Sequence, residues 1–141
     1  MKINYILGDG AFTPLHGHKA DAGFDLRLPD RYDEVTIYPR KDYTIDTKVH
    51  FEIPEGYVGF IKSKSGLNVK SGIQAEGVID SGYTGSVVVK LYNHGDAPVT
   101  FVPGDKITQI VFLPIPEVEL NEVDSFDETE RGDNGFGSTG R

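Results

Sequence analysis

Residues 86–92, SVVVKLY, decide the fold that the sequence predicts. Consecutive valines favour extended backbone, because β-branched side chains fit a pleated sheet better than a helix. The apolar run at Val87, Val88 and Val89 predicts burial on both faces, and an in-and-out alternation begins at Lys90. We therefore expect a central β-strand at this position.

Similar runs, short and rich in β-formers, recur on both sides of this strand and are bounded by turn residues. They are EVTIY (34–38), YVGFIK (57–62), KITQIVFL (106–113) and VEL (118–120). Turn sequences lie between them, namely PEG (54–56), HGDAP (94–98) and PGD (103–105). Helical periodicity is weak throughout, and the chain contains 17 glycines and 8 prolines. This pattern predicts an all-β protein, built as a sandwich or a barrel.

Composition restricts the chemistry and the partners. The chain has 141 residues, which is enough for one core, and no cysteine, which excludes disulfides, a thiolate nucleophile and Cys-ligated zinc. A net charge of −8 argues against nucleic acid as a partner, although a small phosphorylated ligand stays compatible with it. The apolar runs are too short for a signal peptide or a membrane span. We expect a soluble, cytoplasmic protein without a membrane partner.

Composition changes near the C-terminus. From Glu117 onward the chain is first acidic and then glycine-rich, so we divide it into a β domain at 1–120 and a flexible arm at 121–141. A disordered, solubilising tail is one interpretation of the arm. Phe136 favours another, since an aromatic ring among glycines gains little in water and could stack on a nucleobase.

The arm also carries a phosphate-binding pattern. Residues 132–139, GDNGFGST, have the spacing of a phosphate loop, but Ser138 stands where the loop lysine belongs. A strand-loop-helix NTPase is therefore a poor fit. The glycines still allow backbone amides to approach phosphate oxygens, and Arg131, Ser138 and Thr139 add donors.

Three further motifs contain candidate site residues. In GVIDSGYTG (77–85), Asp80 either accepts a proton or binds a metal, or it only bonds the backbone of a turn, and Tyr83 could equally be a packing residue. In DAGFDLRLP (21–29), Asp25 either faces solvent on an alternating strand or serves a site. KSKSGL (62–67) either binds phosphate or is a solvated turn. The histidines of HGH (16–18) lack a third metal ligand at a recognisable spacing and are interpreted as part of a solvated loop.

Taken in order, five motifs resemble those of the trimeric dUTP diphosphatases (dUTPases). They are AGFDL (22–26), KSKSGL (62–67), GVIDSGYTG (77–85), GDKITQI (104–110) and RGDNGFGSTG (131–140). The resemblance implies a β jelly-roll, or distorted barrel, that forms a homotrimer with active sites at the subunit interfaces. It also implies hydrolysis of dUTP to dUMP and pyrophosphate, which limits uracil incorporation into DNA and supplies dUMP for dTMP synthesis. The arm would then be a lid over a neighbouring subunit's site.

The same resemblance assigns roles to single residues. Asp80 would be the general base for the water that attacks the α-phosphorus, and Asp25 would hold Mg²⁺ through the ion's coordinated waters. Tyr83 would pack against the deoxyribose and exclude a ribose 2′-hydroxyl. The other substrate contacts implied are Lys64, Ser65, Gly66, Gln74, Gly77, Val78, Ile79, Val88, Gln109, Arg131, Phe136, Gly137, Ser138 and Thr139.

Two positions depart from the family pattern, since Lys64 and Lys106 stand where the family usually has arginine. Lysine keeps the charge but lacks the planar bidentate fork, so we expect a modest effect on phosphate binding. Alternatives are the related dCTP deaminase, which lacks the arginine-and-phenylalanine lid, and a non-catalytic nucleotide-sensing regulator. A jelly-roll coat protein would explain the strands but not the terminal FGST.

Overall fold

The structure is a computed structural model that describes residues 1–140, and its regular secondary structure is almost entirely β. The strands are β1 (Asn4–Leu7), β2 (Gly23–Arg27), β3 (Val35–Ile37), β4 (Asp42–Glu52), β5 (Tyr57–Lys62), β6 (Ile73–Gln74), β7 (Glu76–Ile79), β8 (Ser86–Asn93), β9 (Val99–Phe101) and β10 (Lys106–Pro114). One short helix, α1 (Ser65–Ser71), lies between β5 and β6. The all-β prediction is confirmed.

The strands form two four-stranded antiparallel sheets and a small two-stranded one. One sheet has the order β1-β4-β8-β6, the other has the order β2-β10-β5-β7, and β3 pairs with β9. Both large sheets contribute to one buried apolar cluster, for example through Ile45 and Leu91 from the first and Leu26, Ile61 and Ile110 from the second. Antiparallel sheets packed across one core are the jelly-roll arrangement that the resemblance to the dUTPases implies.

Strand β8 confirms one expectation and corrects another. It lies inside its sheet, between β4 and β6, as a central strand should. Burial on both faces is wrong, however, because Val87 and Val89 are buried whereas Val88 is 50% exposed. The strand alternates from its first residue, since residues 1–140 place no second layer over the outer face of this sheet.

The segment VEL (118–120) is not a strand, which corrects a second expectation. Strand β10 ends at Pro114, and residues 115–140 contain neither helix nor strand. A strand needs a neighbour that accepts its backbone hydrogen bonds, and within residues 1–140 no segment pairs with this one. The domain boundary at 120/121 stays a prediction. Within the same residues, no helix is long and apolar enough to span a membrane.

Candidate active site

Three of the sequence motifs meet at the carboxylate of Asp25, in the middle of β2. The Asp25 side chain is 3% exposed, so it does not face solvent. Its Oδ1 accepts a hydrogen bond from Lys64, which directly precedes α1, and its Oδ2 lies 2.7 Å from the Nζ of Lys106, the first residue of β10. Burial of an ionised carboxylate costs much less free energy when the carboxylate is paired in this way. The two positions that depart from the family's arginines therefore share one partner.

The ammonium groups determine the charge state of this carboxyl. Burial alone raises the pKa of Asp25, but hydrogen bonds and charge interactions with Lys106 and Lys64 outweigh burial and hold that pKa below its usual range. Of the two lysines in KSKSGL, only Lys64 reaches Asp25. Lys62 forms an exposed ion pair with Glu76 at 3.0 Å.

A polar, open surface lies beside this cluster. Gln109 on β10 donates from Nε2 to the backbone carbonyl of Ser63 at 3.0 Å, so its amide is fixed next to Lys64. Gly23 makes room for it, because a Cβ at position 23 would collide with the Gln109 side chain. Ser65 and Gly66 are exposed at the start of α1. A Cβ built on Gly66 meets nothing within 4 Å, which leaves open space for a ligand.

Asp80 and Tyr83 lie on the turn that joins β7 to β8. The backbone amide of Tyr83 donates to the Asp80 carbonyl at 3.2 Å, and Gly82 adopts the left-handed φ of 81° that the turn requires. Within residues 1–140 the structure gives the Asp80 carboxylate no hydrogen bond to the turn and no ion pair. This geometry argues against the interpretation in which Asp80 only stabilises its own turn.

The Tyr83 ring is fixed over this turn. Its hydroxyl donates to the backbone carbonyl of Ser86 at 3.0 Å, and the ring is packed so closely on Gly85 that a Cβ there would collide with it. Nevertheless Tyr83 is 48% exposed, so about half of its surface stays available to a ligand. His50 adds a contact of 2.9 Å between its Nδ1 and the Thr84 carbonyl. Sequence reasoning missed Ser86 and His50, since neither belongs to a recognisable motif.

The base-contact candidates lie where β7 and β8 separate into different sheets. Strand β7 is the edge strand of its sheet, and Gly77 pairs with Ile61 of β5 on one side only. Among residues 1–140 no strand pairs with its other side, so backbone groups there are free to bond a ligand. Val78 and Val88 are exposed by 59% and 50%, and Ile79 is half-buried.

Gln74 is less clearly part of this region. It lies on β6, opposite Tyr92 of β8, and lines a separate cleft of ≈ 210 Å³ together with Glu76, Tyr92 and His94. Neither Gly77 nor Val88 lines that cleft. Gln74 therefore shares this cleft with Glu76, Tyr92 and His94 rather than with Gly77 or Val88.

The arm residues are separate from the rest of the site within one chain. The Arg131 Nε donates to the Asn134 carbonyl at 2.9 Å, and the Ser138 amide donates to the Gly135 carbonyl at 3.1 Å. All hydrogen bonds that residues 131–140 form within the described chain are to other residues of the arm. Phe136 is fully exposed, and the candidate donors Arg131, Ser138 and Thr139 are also exposed. The structure therefore does not bring Arg131, Phe136, Gly137, Ser138 and Thr139 to Asp25 or Asp80.

The side chains available as metal ligands determine which kind of magnesium site this protein could form. Among residues 1–140 no three His, Asp or Glu side chains group together as metal ligands. Both oxygens of Asp25 already contact ammonium groups. Magnesium usually binds one or two carboxylates together with substrate phosphates and retains several waters. The residues present fit a magnesium ion of that kind, bound mainly by a triphosphate, rather than one enclosed by protein ligands.

Comparisons with known proteins identify the family of this chain. Residues 11–140 match the family model described as dUTPase. The deoxyuridine 5'-triphosphate nucleotidohydrolase of Anaeromyxobacter sp. (strain Fw109-5) is 44% identical over 123 residues, which cover 85% of this chain and 82% of that protein. The enzyme of the same name from Clostridium tetani is 38% identical over 144 residues, covering 100% and 97%.

Solved structures give the same result. The Staphylococcus bacteriophage 80alpha dUTPase with dUPNHPP superimposes with a TM-score of 0.89 at 29% identity, over 99% of each chain. A mutant dUTPase from phage phi11 of S. aureus, whose structure shows the coordination of a structural Mg(II) ion, gives a TM-score of 0.79 at 28% identity over 89% of this chain and 99% of that one. With its five motifs in order, its jelly-roll fold and these relatives, the chain belongs to the dUTPase family.

Proposed function

We propose that this chain hydrolyses dUTP to dUMP and pyrophosphate, with Asp80 as the general base. The observation that carries the proposal is the exposed Asp80 carboxylate, which has no protein partner within residues 1–140 and lies on the same turn as the fixed ring of Tyr83. A base must have a free acceptor that reaches the attacking water. The exposed Asp80 carboxylate supports the proposal because its acceptors are free within residues 1–140, whereas Asp25 is buried and paired with two lysines.

The proposed reaction is a single displacement at the α-phosphorus. Asp80 accepts a proton from water as the water oxygen bonds to the phosphorus. The bond from that phosphorus to the oxygen bridging to the β-phosphorus breaks, and pyrophosphate leaves with the electron pair. Positioning of the water and neutralisation of phosphate charge then provide most of the catalysis, as in other phosphate transfers.

The phosphates are proposed to lie on the open surface beside Asp25. Lys64 contributes charge, Ser65 a hydroxyl, Gly66 its backbone amide and Gln109 a side-chain amide. The Asp25 pairing keeps the Lys64 ammonium at this surface, so a phosphate need not order a long flexible side chain. Magnesium, when bound, neutralises part of the triphosphate charge. Asp25 is the residue proposed to contact the waters of that ion.

Base and sugar are proposed to bind between β7 and β8. The free backbone groups of the β7 edge around Gly77 would bond the Watson–Crick edge of uracil, and Val78, Ile79 and Val88 would enclose the ring. Cytosine would cover these backbone groups but leave some of them without a hydrogen-bond partner. An unpaired buried group discriminates between ligands more strongly than a difference in shape does. Tyr83 would pack against the deoxyribose. Gln74 remains the weakest of these assignments because of its separate cleft.

The arm is proposed to act on another copy in a homotrimer. The residues that would close over a neighbouring subunit's site are Arg131, Phe136, Gly137, Ser138 and Thr139, since within residues 1–140 the hydrogen bonds of this segment stay in the arm. Closure would exclude water and order the glycines at a cost that nucleotide contacts offset. A cytoplasmic enzyme of this kind would limit uracil incorporation into DNA and supply dUMP for dTMP synthesis.

One assay tests the activity and its selectivity. The purified protein is incubated with Mg²⁺ and with dUTP, dTTP, dCTP or UTP, and pyrophosphate and ammonia are measured. We expect pyrophosphate release from dUTP only, without ammonia. Asp80→Asn should lower kcat by at least about 10³-fold while nucleotide binding persists. Ammonia from dCTP, or unchanged turnover in Asp80→Asn, would refute the activity or the base assignment respectively.

A further inference from the structure

Ser86, the first residue of β8, connects the Tyr83 ring to a carboxylate on another strand. Its backbone carbonyl accepts the hydrogen bond of the Tyr83 hydroxyl at 3.0 Å. Its own hydroxyl donates to Oδ1 of Asp46 on β4. Ser86 is half-buried, so water competes only partly for these two bonds. Two hydrogen bonds thus connect the Tyr83 ring with Asp46 through Ser86.

Asp46 is itself fixed by several groups around it. Its Oδ1 also accepts the Lys48 backbone amide at 3.0 Å, and its Oδ2 lies 2.9 Å from the Lys48 Nζ and 3.7 Å from Arg31. The Asp46 backbone amide donates to the Tyr32 hydroxyl at 3.0 Å. Burial raises the pKa of Asp46, but the bonds from Ser86 and Lys48 outweigh it and lower that pKa to about 2. The carboxylate is a rigid, ionised acceptor.

The backbone around Asp46 is shaped to reach the start of β8. The pairing of β4 with β8 is irregular between Asp46 and His50, and Lys48 within this bulge has a left-handed φ of 57°. A non-glycine residue in that region is uncommon and is maintained by its surroundings. From the bulge, the Thr47 hydroxyl donates to the Val87 carbonyl at 2.7 Å. His50 contacts the Thr84 carbonyl at 2.9 Å.

We propose that Asp46 is a positioning residue for sugar selection, acting through Ser86 on the Tyr83 ring. This inference rests on the proposed function, in which Tyr83 packs against the deoxyribose. The ring has one side-chain hydrogen bond within residues 1–140, and it packs closely on the backbone of Gly85. If the Ser86 peptide shifts, the ring shifts with it and space opens for a 2′-hydroxyl.

The test measures kcat/KM for dUTP and for UTP in Asp46→Asn, Ser86→Ala and Ser86→Thr. Ser86→Ala removes only the hydroxyl, and Ser86→Thr retains it. We expect Asp46→Asn and Ser86→Ala to lower the preference for dUTP over UTP about tenfold, mainly through better use of UTP. Ser86→Thr should keep the preference of the parent protein. Asp42→Asn is the matched control, because Asp42 lies on the same strand but pairs at the surface with Lys90 at 3.6 Å.

A double-mutant cycle tests whether Asp46 acts through the Tyr83 hydroxyl. Tyr83→Phe removes the hydroxyl that bonds Ser86, so adding Asp46→Asn to Tyr83→Phe should change the preference little further. Additive effects, or an unchanged preference in both Asp46→Asn and Ser86→Ala, would overturn the inference. If Asp46→Asn does not fold, Ser86→Ala alone decides it. A parent protein without dUTP turnover refutes the proposed function, whereas an active parent with insensitive variants refutes only the role of Asp46.

Discussion

Lys106 lies 2.7 Å from Oδ2 of Asp25, and Lys64 bonds the other oxygen of the same carboxylate. One buried carboxylate thus joins β2, β10 and the start of α1. We expect Asp25→Asn to lower the free energy of unfolding by about 2–4 kcal/mol, because it leaves two ammonium groups without a counter-charge. Urea denaturation measures this loss. Asp42→Asn, which breaks only a surface pair, should cost at most about 1 kcal/mol.

Removing the charge at position 64 should weaken phosphate binding. For Lys64→Ala we expect KM for dUTP to rise about tenfold or more, which corresponds to the loss of one charge-assisted hydrogen bond. Lys64→Arg should keep KM close to that of the parent protein. Steady-state kinetics at saturating Mg²⁺ make this measurement, with Lys90→Ala as a surface control. Equal KM values for Lys64→Ala and the parent would exclude Lys64 from the phosphate site.

The lowered pKa of Asp46 predicts where stability depends on pH. Its pKa falls from 3.8 to about 2 on folding. A depressed pKa in the folded state adds stability above the unfolded value, and this contribution is lost as pH falls towards the folded value. As pH falls from about 4 to about 2, the parent protein should therefore lose its extra free energy of unfolding relative to Asp46→Asn. Urea denaturation across that range tests this, and a constant difference between the two proteins would contradict it.

The arm should affect turnover without affecting the stability of the β domain. Its hydrogen bonds are internal, and Phe136 is fully exposed in the single chain. For Phe136→Ala we expect an unchanged melting temperature and a fall of about tenfold in kcat/KM, because a stacking contact to the base is lost. Calorimetry and kinetics together check this. Phe126→Ala is a matched control, since Phe126 is 91% exposed and lies outside the terminal motif.

Much of the fold and part of the site follow from the sequence, and particular residues show the limit. Turn residues and β-branched runs predicted the β architecture, and the order of the motifs predicted the family. Burial of Val88 was predicted wrongly, because the sequence of one chain does not reveal that a face lacks a second layer. VEL was predicted as a strand, because propensity does not show whether a pairing partner exists.

The site illustrates the same limit at the level of side chains. The sequence marked Asp25 and Lys64 as candidates, but it could not show that they contact each other and Lys106. The Lys106 contact depends on the register of β2 against β10, and the Lys64 contact depends on the pairing of β5 with β10, and both are tertiary properties. Ser86 and Asp46 carry no motif at all, and only their distances connect them with Tyr83.

Within residues 1–140 no strand pairs with one side of β7, and this has a consequence for handling the protein. An edge strand with free backbone groups, next to the exposed Val78, is the kind of surface on which strands from other molecules add and aggregates begin. A nucleotide bound there would occupy those same groups. Concentrated samples should consequently stay clear for longer when a slowly hydrolysed nucleotide analogue is included, and light scattering during storage would reveal this protection.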